Sequence, residues 1–164
     1  MSLPLNFTSI AKTSSLYGEL FAERPGLYKA AATQDLTANS HHDGIYATTY
    51  STNAKLKAFY DVVSTNTDPN NGRVFASSIE AKSYPIMATQ WHPEKNAFEW
   101  NGGNAVNHTE NAIKLMQYVG NRFVAHARES HHTFSSKAKE LKSLIYNYQP
   151  QYEPLGYFEE IRSE

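Results

Sequence analysis

Apolar residues recur along the chain at both helical and strand spacing, which predicts a mixed architecture. Leu16 and Leu20 fall on one helical face and predict a short helix over 14–23. The Arg-Pro-Gly sequence at 24–26 is expected to end that helix. A segment rich in Tyr, Thr and Ile at 45–51 predicts a strand.

The middle of the chain carries cap and turn signals. Asn53 is a typical N-cap residue and predicts a helix that continues to about Val63. An Asp-Pro-Asn-Asn-Gly sequence at 68–72 predicts a turn. Two strands are expected to follow it, at 74–79 and at 86–90.

A polar loop is expected over 92–106, followed by a long amphipathic helix that starts near His108. Its expected apolar stripe consists of Ile113, Met116, Gly120, Phe123, Val124 and Ala127. The pattern weakens after His131, and 137–148 fits either a helix or an extended arm. Because strands alternate with helices, the sequence predicts an α/β layer with at least partly parallel strand pairing.

Composition narrows the class of protein. The length of 164 residues indicates one domain, residues 1–164. Fifteen Lys and Arg against 16 Asp and Glu give a net charge of −1, which argues against an electrostatic nucleic-acid binder. An apolar fraction of 40% argues against disorder, and no apolar run is long enough for a membrane span, so we expect a soluble chain.

The chain contains no cysteine, which excludes a disulfide or a thiol nucleophile within these residues. The first residues lack the features of a signal peptide. Two glycosylation sequons begin at Asn6 and Asn107, and each is either a glycan acceptor in a secreted protein or a chance triplet.

The most informative candidate chemistry follows the strand expected at 86–90. His92 comes at the carboxyl end of that strand, where α/β proteins place their sites. Pro93 holds the preceding backbone extended, and Glu94 lies two residues on, on the same side of an extended chain. The carboxylate can therefore hold one ring nitrogen and leave the other as a general base. The alternative is a surface turn that carries a histidine and a glutamate by chance.

The amino-acid sequence of this segment resembles that of a known family. The sequence Gln-Trp-His-Pro-Glu at 90–94 is similar to the catalytic signature of the class I glutamine amidotransferases, and its extension Lys-Asn-Ala-Phe-Glu-Trp to 100 resembles the gamma-glutamyl hydrolase branch. Further segments that resemble this branch are Pro-Leu-Asn-Phe-Thr at 4–8, Leu-Thr-Ala-Asn-Ser-His at 36–41, Thr-Asn-Thr-Asp at 65–68 and Leu-Ile-Tyr at 144–146.

The resemblance implies a flavodoxin-like three-layer α/β sandwich and hydrolysis of gamma-glutamyl bonds in folate poly-gamma-glutamates, without a cofactor. His92 would act as general base and acid, Glu94 would orient it, and His41 would contact the substrate. The family attacks with a cysteine on a strand–turn–helix elbow, and no cysteine is present here. By this resemblance, residues 1–164 are a carboxyl-terminal half that lacks the amino-terminal strands and is inactive alone.

The same resemblance implies a lysosomal or secreted location, and as candidate partners the missing amino-terminal half and a second copy in a homodimer. Without the missing strands, the chain would expose sheet edges and apolar faces, so we expect it to be poorly soluble or oligomeric alone. Phe98 and Trp100 either line a pteridine or aminobenzoyl cleft or simply pack.

Other readings of the sequence carry less support. No nucleophile elbow surrounds Ser40 or the serines at 77–78. The paired histidines at 41–42 and 131–132 are adjacent residues, which on a strand point to opposite faces, so no metal site is expected. A non-catalytic binding or assembly protein that keeps the fold is the main alternative. A glutaminase domain of a biosynthetic synthase is less favoured, because the Phe-Glu-Trp extension at 98–100 fits the hydrolase branch better.

Overall fold

The computed structural model describes residues 1–100 and 106–149. The strands in these ranges are β1 (Ser2–Leu3), β2 (Asn6–Phe7), β3 (Thr37–Ala38), β4 (Tyr60–Thr67), β5 (Val74–Ala81) and β6 (Met87–Thr89). The α-helices are α1 (Gly18–Glu23), α2 (Pro25–Thr33), α3 (Ala47–Thr52), α4 (Ala54–Phe59), α5 (Lys95–Phe98), α6 (Glu110–Arg128) and α7 (Lys137–Lys142), and short 3₁₀ helices cover Ser9–Thr13 and Ile145–Asn147. The chain divides into two units, Met1–Arg128 and Glu129–Glu164. No described helix has both the length and the apolar character needed to cross a membrane.

The strands of the first unit form a four-stranded sheet in the order β2-β4-β5-β6 and a small sheet of β1 with β3. The mixed α/β class expected from the sequence is therefore confirmed. The predicted turn at 68–72 joins β4 to β5, with Gly72 at a positive φ of 70° and its N–H donating to the Asp68 carbonyl. Glycine suits this position because it has no side chain to clash there.

The expectation of partly parallel pairing is wrong for the described strands, since all their pairs are antiparallel. For the β4–β5 and β5–β6 pairs, the physical reason is the length of the connections. Only Lys82–Ile86 separates β5 from β6, and the turn between β4 and β5 is similarly short. A parallel pair needs a crossover of about a dozen residues or more.

The core of the first unit lies between the four-stranded sheet and the helices. Its fully buried side chains include Leu5, Leu16, Tyr17, Leu20, Val63, Trp91 and Leu115. The Tyr118 hydroxyl of α6 donates to the Leu16 carbonyl and accepts from the Leu20 N–H, at 2.9 Å in each case. These two bonds fix which side of α6 faces α1.

The long helix expected after residue 108 is confirmed, but its predicted buried stripe is wrong. The residues that α6 buries are Ala112, Leu115, Tyr118 and Val119. Phe123, which the apolar pattern assigned to the core side, is 65% exposed, and Val124 is exposed as well. The Tyr118 hydroxyl bonds to two backbone groups on the buried side of the helix. A count of apolar residues along the helix does not detect such bonds.

The strand expected at 45–51 is wrong, because α3 occupies Ala47–Thr52. Tyr46 makes one isolated bridge to Phe75, and β4 and β6 are the neighbours of β5 in the sheet. Hydroxyl groups within α3 are satisfied locally, since Ser51 and Thr52 both donate to the Thr48 carbonyl. Helix therefore prevails over the strand preference of this segment.

The helix capped by Asn53 is confirmed at its start and wrong at its end. The Asn53 side chain accepts from the N–H groups of Lys55 and Leu56, and α4 then ends at Phe59 instead of near Val63. From Tyr60 onward the chain pairs with β5 along the whole of β4. This long hydrogen-bonded ladder outweighs the helical spacing of the apolar residues.

The first predicted helix is shorter than expected and does not end helical structure. α1 begins at Gly18, and α2 begins at Pro25, so Arg24 is a break between consecutive helices. Proline fits the first position of a helix because its missing N–H would have no partner there.

The second unit resolves the choice left open for 137–148. α7 covers Lys137–Lys142, and the Ser136 hydroxyl caps it by accepting from the Lys139 N–H. A 3₁₀ turn follows at Ile145–Asn147. The segment is therefore helical in part, and Ile145 and Tyr146 are exposed.

Candidate active site

The segment after β6 is anchored by buried side chains. The Gln90 N–H donates to the Ser77 carbonyl at 2.8 Å, which continues the ladder with β5. Trp91 is 2% exposed, and its indole N–H donates to the Ser78 hydroxyl at 3.3 Å. The Tyr17 hydroxyl lies 2.8 Å from the same Ser78 oxygen. These contacts fix the backbone on the amino-terminal side of His92.

His92 and Glu94 meet as the sequence predicted. Nδ1 of His92 lies 2.7 Å from Oε1 of Glu94, a hydrogen-bond distance. Because an ionised carboxylate only accepts, Nδ1 is the donor, and in the neutral ring Nε2 keeps a free lone pair. The His92 side chain is 35% exposed, so solvent reaches it. The pair has the geometry of a general base and its orienting acid.

The turn that follows the pair contains an ion pair that the sequence reasoning missed. The Lys95 ammonium lies 2.8 and 2.6 Å from the two carboxylate oxygens of Glu99, and both side chains are largely buried. Their spacing of four residues along a helix was the signal that could have revealed them. No sequence pattern pointed to the contact of Trp91 with Ser78.

His41 lies on a different stretch, three residues beyond the end of β3. Its Nδ1 lies 2.9 Å from the Asp43 carbonyl and its Nε2 lies 3.1 Å from Oδ1 of Asn39. Both partners are oxygens that accept hydrogen bonds. His41 also packs edge-on against Phe75, at 5.3 Å between ring centroids.

A cavity of about 310 Å³ surrounds His41. Asn39, His42, Tyr46, Arg73 and Phe75 are among its other lining residues. Arg73 donates to the Tyr46 hydroxyl at 2.7 Å, and its guanidinium lies over the Tyr46 ring. β3 links this cavity to the predicted pair, since the Ala38 carbonyl accepts from the His92 N–H at 2.8 Å. β3 therefore lies next to both histidines: its Ala38 accepts a hydrogen bond from the His92 backbone, and His41 follows it by three residues.

A second cavity of about 320 Å³ adjoins Glu94 and is mainly apolar. Met87, Phe98, Met116 and Phe123 line it together with Pro93 and Glu94. Phe98 is 77% exposed, so it lines this open cleft and is not packed in the core. Trp100 stacks on His108, with ring centroids 4.0 Å apart.

The remaining candidate residues are dispersed. Within residues 1–100 and 106–149, no group of three or more metal-ligating side chains comes together. Asn6 is exposed on β2, whereas the Asn107 amide is half-buried and donates to the Asp35 carbonyl at 2.7 Å. His131 and His132 are exposed.

Burial shifts the pKa of two core tyrosines, Tyr17 and Tyr118. Complete burial raises the pKa of Tyr17 to about 12, and its hydrogen bond with Ser78 acts in the opposite direction. Burial also raises the pKa of Tyr118, which a backbone hydrogen bond with Leu20 opposes. Both phenols therefore remain neutral donors in the core at ordinary pH.

Comparisons with known proteins identify the family. No family model matches the chain. It is 41% identical over 151 residues to gamma-glutamyl hydrolase B of Dictyostelium discoideum, a match that covers 92% of this chain and 42% of that protein. It is 40% identical over 150 residues to gamma-glutamyl hydrolase of Mus musculus, covering 92% of this chain and 46% of the relative.

A plant relative gives the same result. Gamma-glutamyl hydrolase 2 of Arabidopsis thaliana is 41% identical over 128 residues, which cover 78% of this chain and 36% of that protein. The chain thus spans less than half the length of these curated relatives. Identity of about 40% over nine tenths of the chain means that it belongs to the gamma-glutamyl hydrolase family.

Proposed function

We propose that this chain supplies the histidine–carboxylate pair of a cysteine hydrolase that cleaves gamma-glutamyl bonds, with folate poly-gamma-glutamates as substrates. The observation that carries the proposal is the distance of 2.7 Å between Nδ1 of His92 and Oε1 of Glu94. The names of the curated relatives supply the bond type.

In this proposal His92 moves the protons of the reaction. It takes the proton of a cysteine thiol as the sulfur bonds to the gamma-carbonyl carbon, and returns it to the departing nitrogen as the C–N bond breaks. Water, deprotonated by the same ring, then hydrolyses the thioester and restores the thiol. Glu94 holds Nδ1 and stabilises the imidazolium that forms twice in the cycle.

His41 is the proposed contact for the substrate. Its ring lies in an open cavity that Arg73 also lines. Poly-gamma-glutamate carries a free carboxylate on each residue, which the Arg73 guanidinium in this cavity would attract. No cofactor takes part in this scheme.

The nucleophile must come from polypeptide outside these 164 residues, which contain no cysteine. We place that polypeptide, the amino-terminal half of the enzyme, against the apolar cleft beside Glu94. Two observations support this docking surface: the cleft is lined by Met87, Met116 and Phe123, and no described strand pairs with the outer edge of β6. A free strand edge and an exposed apolar face both favour association.

The chain alone is expected to be inactive because it contains no cysteine, and oligomeric or poorly soluble because it exposes this surface. A homodimer of the complete enzyme remains a proposal that follows from the family. A lysosomal or secreted location is proposed on the same ground, and the exposure of Asn6 is consistent with it.

The main alternative is a non-catalytic binding or assembly protein that keeps the family fold. The observation that favours it is the absence of cysteine among the 164 residues. Both proposals predict no turnover by the chain alone, so a test must add the nucleophile.

Complementation separates the two functions. The chain is mixed with the portion of the Dictyostelium discoideum relative that it does not match, and hydrolysis of a gamma-glutamyl dipeptide is measured. The hydrolase proposal predicts no turnover from the chain alone and turnover from the mixture. In the mixture, His92→Ala should lower the rate by about 10²- to 10⁴-fold, the usual contribution of a general acid–base.

His132→Ala serves as the matched control, because that ring is exposed in the second unit. It should leave the rate of the mixture unchanged. Full activity of the His92→Ala mixture would remove the role assigned to this ring. A mixture that assembles but never turns over would favour the non-catalytic alternative, and turnover by the chain alone would overturn the assignment of the nucleophile.

A further inference from the structure

The loop that carries Glu94 is held at both ends by one stretch of chain. At its start, the His92 N–H donates to the Ala38 carbonyl at 2.8 Å. At its end, Nδ2 of Asn96 donates to the Leu36 carbonyl at 3.1 Å. Glu94 lies midway between these two attachments. The backbone on both sides of the carboxylate is therefore tied to 36–38.

Asn96 also ties this loop to the chain that leads into α6. Its second amide hydrogen is directed to the Asn107 carbonyl at 2.7 Å, and its backbone carbonyl oxygen accepts from Nδ1 of His108 at 2.7 Å. The Asn107 amide donates to the Asp35 carbonyl at 2.7 Å, which closes the network. Asn96 is fully buried, and its side-chain Oδ1 has no hydrogen-bond partner among the described residues, so its side chain is held through its two amide hydrogens.

The Glu94 side chain has no comparable support of its own. It is 58% exposed, and His92 is its hydrogen-bond partner among the described residues. The backbone of the loop therefore decides where the carboxylate lies. One contact at the surface holds an exposed side chain weakly, whereas a buried amide with two satisfied donors fixes a backbone well.

We propose that Asn96 is a positioning residue, which holds the 92–96 loop so that the Glu94 carboxylate meets Nδ1 of His92. The assignment deepens the proposed function and rests on it for its catalytic meaning. Its direct consequence is the position of one proton: while Glu94 is in place, the neutral His92 ring carries its hydrogen on Nδ1. When the loop is released, the ring loses that bias and the Nε2–H form gains population.

The tautomer of His92 is measured on the complete 164-residue chain without substrate. Magic-angle-spinning ¹⁵N spectra distinguish protonated from unprotonated ring nitrogens, whatever the size of the assembly. The His92 signals are assigned by their loss in His92→Gln, and Glu94→Gln gives the reference for a ring without its carboxylate. In Asn96→Ala, the ratio of Nδ1–H to Nε2–H should fall by up to about fivefold, the change expected when one hydrogen bond worth about 1 kcal/mol is lost completely.

Asn111→Ala is the matched control, since this half-buried asparagine bonds through its side chain to Gln34 and not to the 92–96 loop. It should leave the His92 ratio unchanged. If Asn96→Ala does not fold, Asn96→Ser retains one donor and should show a smaller fall in a folded chain. A folded Asn96→Ala or Asn96→Ser with the wild-type ratio would overturn the proposal. Because no turnover enters this measurement, its result is independent of whether the complementation assay succeeds.

Discussion

The buried Tyr17 phenol gives a quantitative prediction about the support of the site. Its hydroxyl shares the Ser78 oxygen with the indole of Trp91, the residue before His92. Burial raises the pKa of Tyr17 from 10.0 in the unfolded chain to about 12 in the folded one. Below pH 10 both states are neutral, and this phenol contributes no pH dependence.

Between pH 10 and 12, the unfolded phenol ionises while the folded one stays neutral, so stability falls with rising pH. Two pH units correspond to a loss of about 3 kcal/mol, complete once the pH exceeds the folded pKa. Tyr17→Phe removes this loss but also removes the hydroxyl bond, which costs about 1 kcal/mol at neutral pH. The variant should therefore be less stable than wild type at pH 8 and more stable near pH 12.

The measurement is urea unfolding at one protein concentration, followed by tryptophan fluorescence at intervals from pH 8 to pH 12. Other tyrosines, including Tyr118, ionise in both proteins and cancel in the difference. Ser78→Ala is the control, because it removes the hydrogen-bond partner but leaves the phenol buried, so it should lose stability over the same pH range. Parallel curves for wild type and Tyr17→Phe up to pH 12 would refute the argument.

Two further predictions concern the core and the sequons. Leu115→Ala should lower the free energy of unfolding by about 2–5 kcal/mol, because the side chain is fully buried, whereas Phe123→Ala on the same helix should change it by less than about 1 kcal/mol. Urea midpoints report both, and equal losses would contradict the observed orientation of α6. In secretory expression, Asn6→Gln should abolish the mobility shift caused by a glycosidase, and Asn107→Gln should not, because the Asn107 amide is bound to the Asp35 carbonyl. A shift that depends on Asn107 would contradict this assignment.

Local features were predictable from the sequence because their energetics are contained within a few residues. The turn at 68–72 and the cap at Asn53 depend on backbone preferences and on hydrogen bonds two to four residues away. The contact of His92 with Glu94 belongs to the same class, since a proline between them leaves a short and restricted path. The existence of α6 was also predictable, from its length and its apolar periodicity.

Tertiary structure decided what the sequence left undetermined or indicated wrongly. Residues 45–51 became mostly helix although Tyr46 still bridges to Phe75 of β5, and the buried side of α6 contains Tyr118, whose hydroxyl bonds to the backbone of Leu16 and Leu20. Placing 36–38 against the 92–96 loop joins residues more than fifty positions apart, through Asn96. Such contacts form only when distant segments fold against each other, and no short window of sequence contains both partners.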